Sequence, residues 1–162
     1  MTVASPPTEA DLAVVELQLG RTPRAVRGIA HRCVCGLVDV IETAPRLPDG
    51  SPFPTFYYLT CPRAAAAVGT LEAAGLMREM SSRLETDEAL AAKYEAAHRD
   101  YLARRDAVER LPGDPGVGGM PTRVKCLHAL VAHSLAAGPG VNPFGDEALT
   151  MLPRWGSGGR CV

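Results

Sequence analysis

The chain has 162 residues, with 17 Lys and Arg against 18 Asp and Glu, so it carries no net field to draw in nucleic acid or an anionic membrane. That length suits one domain around one core, with roughly 70% of the unfolded surface buried. No apolar run approaches the roughly 20 residues that span a bilayer, and Met1–Pro7 lacks the charged and apolar regions of a signal peptide. A cytoplasmic protein is expected, in which the five cysteines Cys33, Cys35, Cys61, Cys126 and Cys161 stay reduced.

Thr8-Glu9-Ala10-Asp11 predicts a capped helix start, with Leu12, Val15 and Leu19 on one face and Gly20 as the stop. Arg21 to Arg32 carries four arginines and His31 among β-branched and small residues, which predicts a strand with its arginines outward. This basic cluster is also the best local candidate for phosphate contact. Cys33-Val34-Cys35-Gly36 reads as a hairpin turn into a second alternating strand, Leu37 to Glu42. Ala44 to Thr55 holds four prolines and a Pro-Asp-Gly turn, an ordered loop, before a short buried strand at Phe56 to Thr60.

Cys61-Pro62 marks the change from strand to helix. Proline favours the first helical position, which puts Cys61 at the N-cap, where exposed N–H groups stabilise a thiolate. That helix runs to about Gly75, a second from Leu76 to Leu84, and a long one from Asp87 to about Leu111 with Leu90, Tyr94, Ala97, Tyr101 and Val108 facing inward. Pro112 to Pro121 is a Gly/Pro loop without the pattern of a phosphate-binding motif. Thr122 is then expected to cap a central helix bearing Lys125, Cys126, His128 and His133 and ending before Gly138. Asn142-Pro143 starts a last helix to about Leu152, and residues 153–162, Gly-rich and containing Cys161, read as a disordered tail.

These elements predict an α+β fold: one domain over residues 1–152, with a small antiparallel sheet between about residues 24 and 60 packed against several helices. Cys33, Cys61 and Cys126 lie at element ends, where sulfur atoms can face a common centre, and His128 completes a Cys3His set suited to zinc, with an iron-sulfur cluster as the alternative. On an ideal helix, residues two apart diverge by about 200°, so Cys126 and His128 can share an ion only if the first turn is not yet helical. Cys35 or His133 are the replacements for His128, and Lys125 and Arg63 would offset thiolate charge. An open coordination position would make the protein a metal- or cluster-dependent enzyme, with Glu72, Glu79 or His133 as acid or base. A metal-free thiol redox protein is the third reading, with Cys61 as the low-pKa sulfur and Cys33 or Cys126 to resolve it.

Five motifs in order carry a family resemblance: Arg32-Cys33, Pro52-Phe53-Pro54-Thr55 leading to Leu59-Thr60-Cys61-Pro62, Gly75-Leu76-Met77-Arg78-Glu79, Lys125-Cys126-Leu127-His128, and Asn142-Pro143-Phe144-Gly145. From about Glu9 to Leu152 the chain resembles the bacterial family catalogued as domain of unknown function 501. The resemblance implies a pattern centred on Cys33, Cys61, Cys126 and His128, without Cys35 and with Leu130 where relatives often carry a second histidine. It also implies gene neighbours encoding a septum-formation initiator and an exopolyphosphatase, hence a protein partner in cell division or polyphosphate metabolism.

Overall fold

The chain's first helix is set by local chemistry. Thr8 accepts from the Asp11 N–H at 3.1 Å while the Asp11 carboxylate accepts from the Thr8 N–H at 3.0 Å, a reciprocal cap, and Gly20 closes the helix at φ 69°. The computed structural model describes residues 3–162, so the first two residues of the Met1–Pro7 stretch lie outside it. The elements are α1 (Glu9–Leu19), β1 (Val26–Arg32), β2 (Val38–Thr43), β3 (Tyr57–Leu59), α2 (Pro62–Ala73), α3 (Leu76–Thr86), α4 (Glu88–Asp106), α5 (Leu127–Ala137) and α6 (Pro143–Met151).

The three strands form one antiparallel sheet in the order β1-β2-β3. Val15 of α1 packs with Ile29, Val38 and Ile41 on one face, while Val40 and Leu59 join the main core around α5 on the other. The central strand β2 is therefore buried at every position. Its buried acids are matched by β1: Glu42 pairs with Arg27, and Asp39 meets His31 Nδ1 at 2.7 Å. Arg32 reaches back to Asp11 with two hydrogen bonds of 2.8 and 3.1 Å. Two of the arginines considered for phosphate are thus occupied by carboxylates.

Helix α4 anchors the third strand. The Tyr101 hydroxyl accepts from the N–H groups of Phe56 and Tyr57 at 2.6 and 3.1 Å, and buried Arg105 donates to Pro54 O and Pro115 O at 3.1 and 2.8 Å, tying both proline-rich loops to the helix. The helix ends at Asp106, short of the expected Leu111, and Val108 is exposed.

Helix α5 begins later than its sequence suggests. Gly118 O accepts from the N–H groups of Lys125 and Cys126, and Ser81 Oγ accepts from Val124 N–H, so residues 124 to 126 are held by neighbours instead of turning into a helix. Cys126 becomes the N-cap, with extended φ and ψ of −149° and 105°. From Leu127 onward the helix is almost wholly buried, as its apolar composition requires. Close contact with α6 depends on Gly145, where a Cβ would lie 2.2 Å from Leu130 O.

The result is one α+β domain with a small antiparallel sheet and six helices among the described residues. No helix among them is long and apolar enough to cross a membrane. Residues 153–162, expected as a disordered tail, are placed against the body of the protein. Trp155 packs on the main core and Cys161 is buried.

Candidate functional site

Two clusters of chemically active side chains emerge, and Cys61 of the expected set belongs to neither. The first gathers Cys33, Cys35 and Cys161, whose sulfur atoms all lie within 4.8 Å of one another. The second gathers Glu72, Cys126 and His128, with one ligand atom from each inside the same distance. Of the four expected ligands, Cys33 falls in the first group and Cys126 and His128 in the second.

The thiol cluster is made by a turn and the chain end. Cys33 accepts Gly36 N–H on its carbonyl and donates its own N–H to Leu37 O, both at 2.9 Å, and Gly36 takes φ 87°, which closes a tight turn and brings Cys33 and Cys35 to one side. Cys161 then enters from the C-terminus with its Sγ 3.8 Å from that of Cys33 and 3.7 Å from that of Cys35. Trp155 O receives a 3.5 Å contact from Cys161 Sγ and another of the same length from the Arg63 guanidinium, so Arg63 does stand beside this cluster. Gly156 leaves the space the sulfur needs, because a Cβ there would sit 2.2 Å from Cys33 Sγ.

Burial pushes the Cys33 thiol above its ordinary range, and Cys161 is pushed far higher by burial followed by the sulfurs of Cys61, Cys35 and Cys33. Burial also acts upward on Cys35, but N–H groups of Leu37 and Cys161 outweigh it and hold this thiol below the usual value. Cys35 is thus the easiest sulfur of the group to ionise, and Cys33 and Cys161 are the harder ones. A bound cation would reverse that balance. Cys61 caps α2 as expected, with Pro62 in the first turn, but it is fully buried and borders the thiol group through Cys161.

The second cluster depends on the late start of α5. Because Cys126 is not yet helical, its sulfur and the His128 ring approach each other, which a regular turn would have prevented. Glu72 of α2 performs the capping that Cys126 does not: its Oε1 accepts from Leu127 N–H at 3.0 Å and also meets His128 Nδ1 at 2.7 Å. His128 Nε2 faces Ala65 O at 3.0 Å. Both ring nitrogens thus face oxygen acceptors, so both carry protons and His128 is an imidazolium. The Cys126 sulfur, and then Glu72, push its pKa up to about 9 against the effect of burial. Burial also raises the Cys126 thiol, but His128 and the Ala129 N–H together bring it below its usual range. The pair opens on a cleft of about 630 Å³ whose lining includes Tyr58, Leu59, Pro62 and Val117.

His133, considered as a ligand or base, is a satisfied core group. Asn142 Oδ1 accepts from Gly145 N–H at 3.0 Å, which orients its amide so that Nδ2 donates to His133 Nδ1 at 3.1 Å. His133 Nε2–H then donates to Asp100 at 2.8 Å, and Arg104 holds the same carboxylate at 2.6 Å. Tyr57 and Tyr101 enclose the ring. Lys125 is exposed, and Glu79 pairs on the surface with Arg83.

Sequence reasoning overlooked Cys161 as a partner and Glu72 as the residue that fixes His128. The Cys-x-Cys spacing was a signal for Cys35. Neither the penultimate cysteine nor a glutamate 54 positions before Cys126 carries a local one. In comparison with known proteins, a family model described as "Protein of unknown function (DUF501)" matches residues 29–150. No curated protein and no solved structure matches the chain.

Proposed function

The chain belongs to the DUF501 family, and from the geometry of its thiols we propose that it is a metal-binding protein holding one zinc ion through Cys33, Cys35 and Cys161, with Cys61, which borders Cys161, closing in as the fourth ligand. The observation that carries this reading is the sulfur spacing. Four sulfurs in a tetrahedron around zinc at about 2.3 Å lie about 3.8 Å apart. Cys161 Sγ stands 3.8 and 3.7 Å from its two neighbours. An iron-sulfur cluster spreads its cysteines over several irons. Spacing this short suits a single ion, so zinc is the better occupant.

Four thiolates would close the coordination shell, which makes the ion structural: it joins the β1-β2 turn, the start of α2 and the C-terminal segment. A domain tied in this way acts as an interaction module, and the partner implied by the family resemblance belongs to cell division or polyphosphate metabolism in the cytoplasm, where thiols stay reduced. The protein purified without a metal-binding tag or oxygen should be colourless and contain about one zinc per chain. Cys161→Ala should lower that content at least about tenfold. A metal-free wild-type protein with every thiol open to titration would remove this reading, and iron with sulfide and a brown colour would move it to a cluster.

A further inference from the structure

The Glu72-Cys126-His128 group lies outside the zinc site proposed above, and its geometry describes a different chemistry. Its thiol is half-buried at the edge of a cleft, not enclosed. Among the described residues no second sulfur lies within hydrogen-bonding distance of Cys126, so the site lacks the resolving thiol of a dithiol redox centre. His128 offers no free lone pair, since Nδ1 faces Glu72 at 2.7 Å and Nε2 faces Ala65 O at 3.0 Å; a metal ion would have to break one of these bonds. What remains is a half-buried thiol next to a fixed imidazolium that favours its ionised form, the arrangement that activates a cysteine nucleophile.

The same hydrogen bonds restrict the electrophile. In acyl transfer from an amide or ester, the histidine must hand a proton to the departing amine or alkoxide. Both His128 nitrogens here already have protein partners, Glu72 and Ala65 O besides the Cys126 sulfur, so none of its protons is free for a leaving group. The site is therefore matched to a leaving group that departs without being protonated, and among acyl donors that is a thiolate. The cleft adds a second restriction. Apart from the Cys126-His128 pair its lining carries no charge; Leu19, Tyr58, Leu59, Pro62 and Val117 present apolar surface to whatever enters, and Gln18, Thr55 and Thr60 supply neutral polar groups.

We propose that Cys126 is the nucleophile of an acyl-accepting site that takes an uncharged acyl group from a thioester, with the acyl portion in this cleft. The Cys126 thiolate attacks the thioester carbonyl, a carbon-sulfur bond forms to Cys126, and the donor's carbon-sulfur bond breaks. The donor leaves as a thiolate and takes its proton from water. His128 holds Cys126 ionised, and Glu72 is a positioning residue that keeps the imidazolium in place.

The test uses the full-length protein and the hexanoyl thioester of N-acetylcysteamine, an uncharged probe, with peptide mapping by mass spectrometry. The hexanoyl group should appear on the Cys126 peptide at neutral pH at least about tenfold faster than on N-acetylcysteine, because a free thiol is only a few per cent ionised there and the gain is partly offset by the lower nucleophilicity of a low-pKa sulfur. Cys126→Ala should remove the adduct. His128→Gln and Glu72→Gln should each slow it by about tenfold and move the rise in rate to higher pH. Labelling no faster than the free thiol, labelling of other cysteines alone, or rapid alkylation by iodoacetamide without thioester exchange would each overturn the proposal. Loss of zinc would show separately, as reactivity at the Cys33, Cys35 and Cys161 peptides.

Discussion

The two cysteine sites are built from the same kind of residue at the ends of regular elements, and they differ in what surrounds the sulfur. In the Cys33-Cys35-Cys161 group, each thiol has other thiols as its nearest chemical partners, and ionising one raises the difficulty of ionising the next. At Cys126 the partner is an imidazolium held by a carboxylate, so a single thiolate is stabilised without any added ion. Grouped thiols that burial and their neighbours keep largely protonated suit ligation of a metal ion that displaces those protons, whereas a permanent internal cation suits a nucleophile. Position at an element end made these cysteines available, and the charge of their neighbours separates their chemistry.

Changes at one site should leave the other intact, and the largest effect should come from Gly156→Ala. The added Cβ would fall 2.2 Å from Cys33 Sγ. Overpacking alone costs about 1–3 kcal/mol, and loss of zinc should add to it. Zinc content and the urea midpoint should both fall, with the alkylation rate of Cys126 unchanged. Retention of a full zinc complement would show that Cys33 does not need this space.

Glu72→Ala probes the opposite site. It removes the acceptor of both Leu127 N–H and His128 Nδ1, and should cost about 1–3 kcal/mol in urea unfolding. Zinc content should stay at the wild-type level. If zinc were lost as well, the two sites would be coupled through α2, which carries Glu72 and is capped by Cys61.

The smallest effect is the pH dependence of the Cys126-His128 pair. The folded pKa of His128, about 9, lies above its unfolded value of about 6.5, so its stabilisation is complete below about pH 6.5 and fades as pH rises through about 9. Cys126 has the reverse sign: its folded pKa is depressed, so its contribution is present above the unfolded value of about 8.5 and is lost as pH falls through the folded one. The pair is charged on both sides between the two folded values. His128 remains 35% exposed, and solvent screening should hold the net effect to about 1 kcal/mol. The stability difference between wild type and His128→Gln, followed by urea unfolding, should narrow as pH passes about 9.

Much of the fold was legible because its signals are local. The Thr8 cap, Pro62 after Cys61 and the Asn142 cap all lie within a few residues of the boundaries they mark. Helix α5 was misplaced at its start because the forces that delay it come from Gly118, Ser81 and Glu72, on other elements. That displacement mattered for the candidate site. It put Cys126 at an N-cap and allowed His128, two residues on, to approach it.

From the sequence alone follow the α+β class, the three strands and their helices, the small sheet before residue 60, and the concentration of chemistry in a few cysteines and histidines. Periodicity, capping residues and proline act over a few residues, so a linear reading captures them. The tertiary structure alone decided which sulfurs meet. Cys161 joins a turn 126 residues earlier, and Glu72 reaches His128 across 56, pairings set by how α2, α5 and the chain end pack on one core. No local pattern encodes such contacts, because their geometry exists only once distant segments are held together.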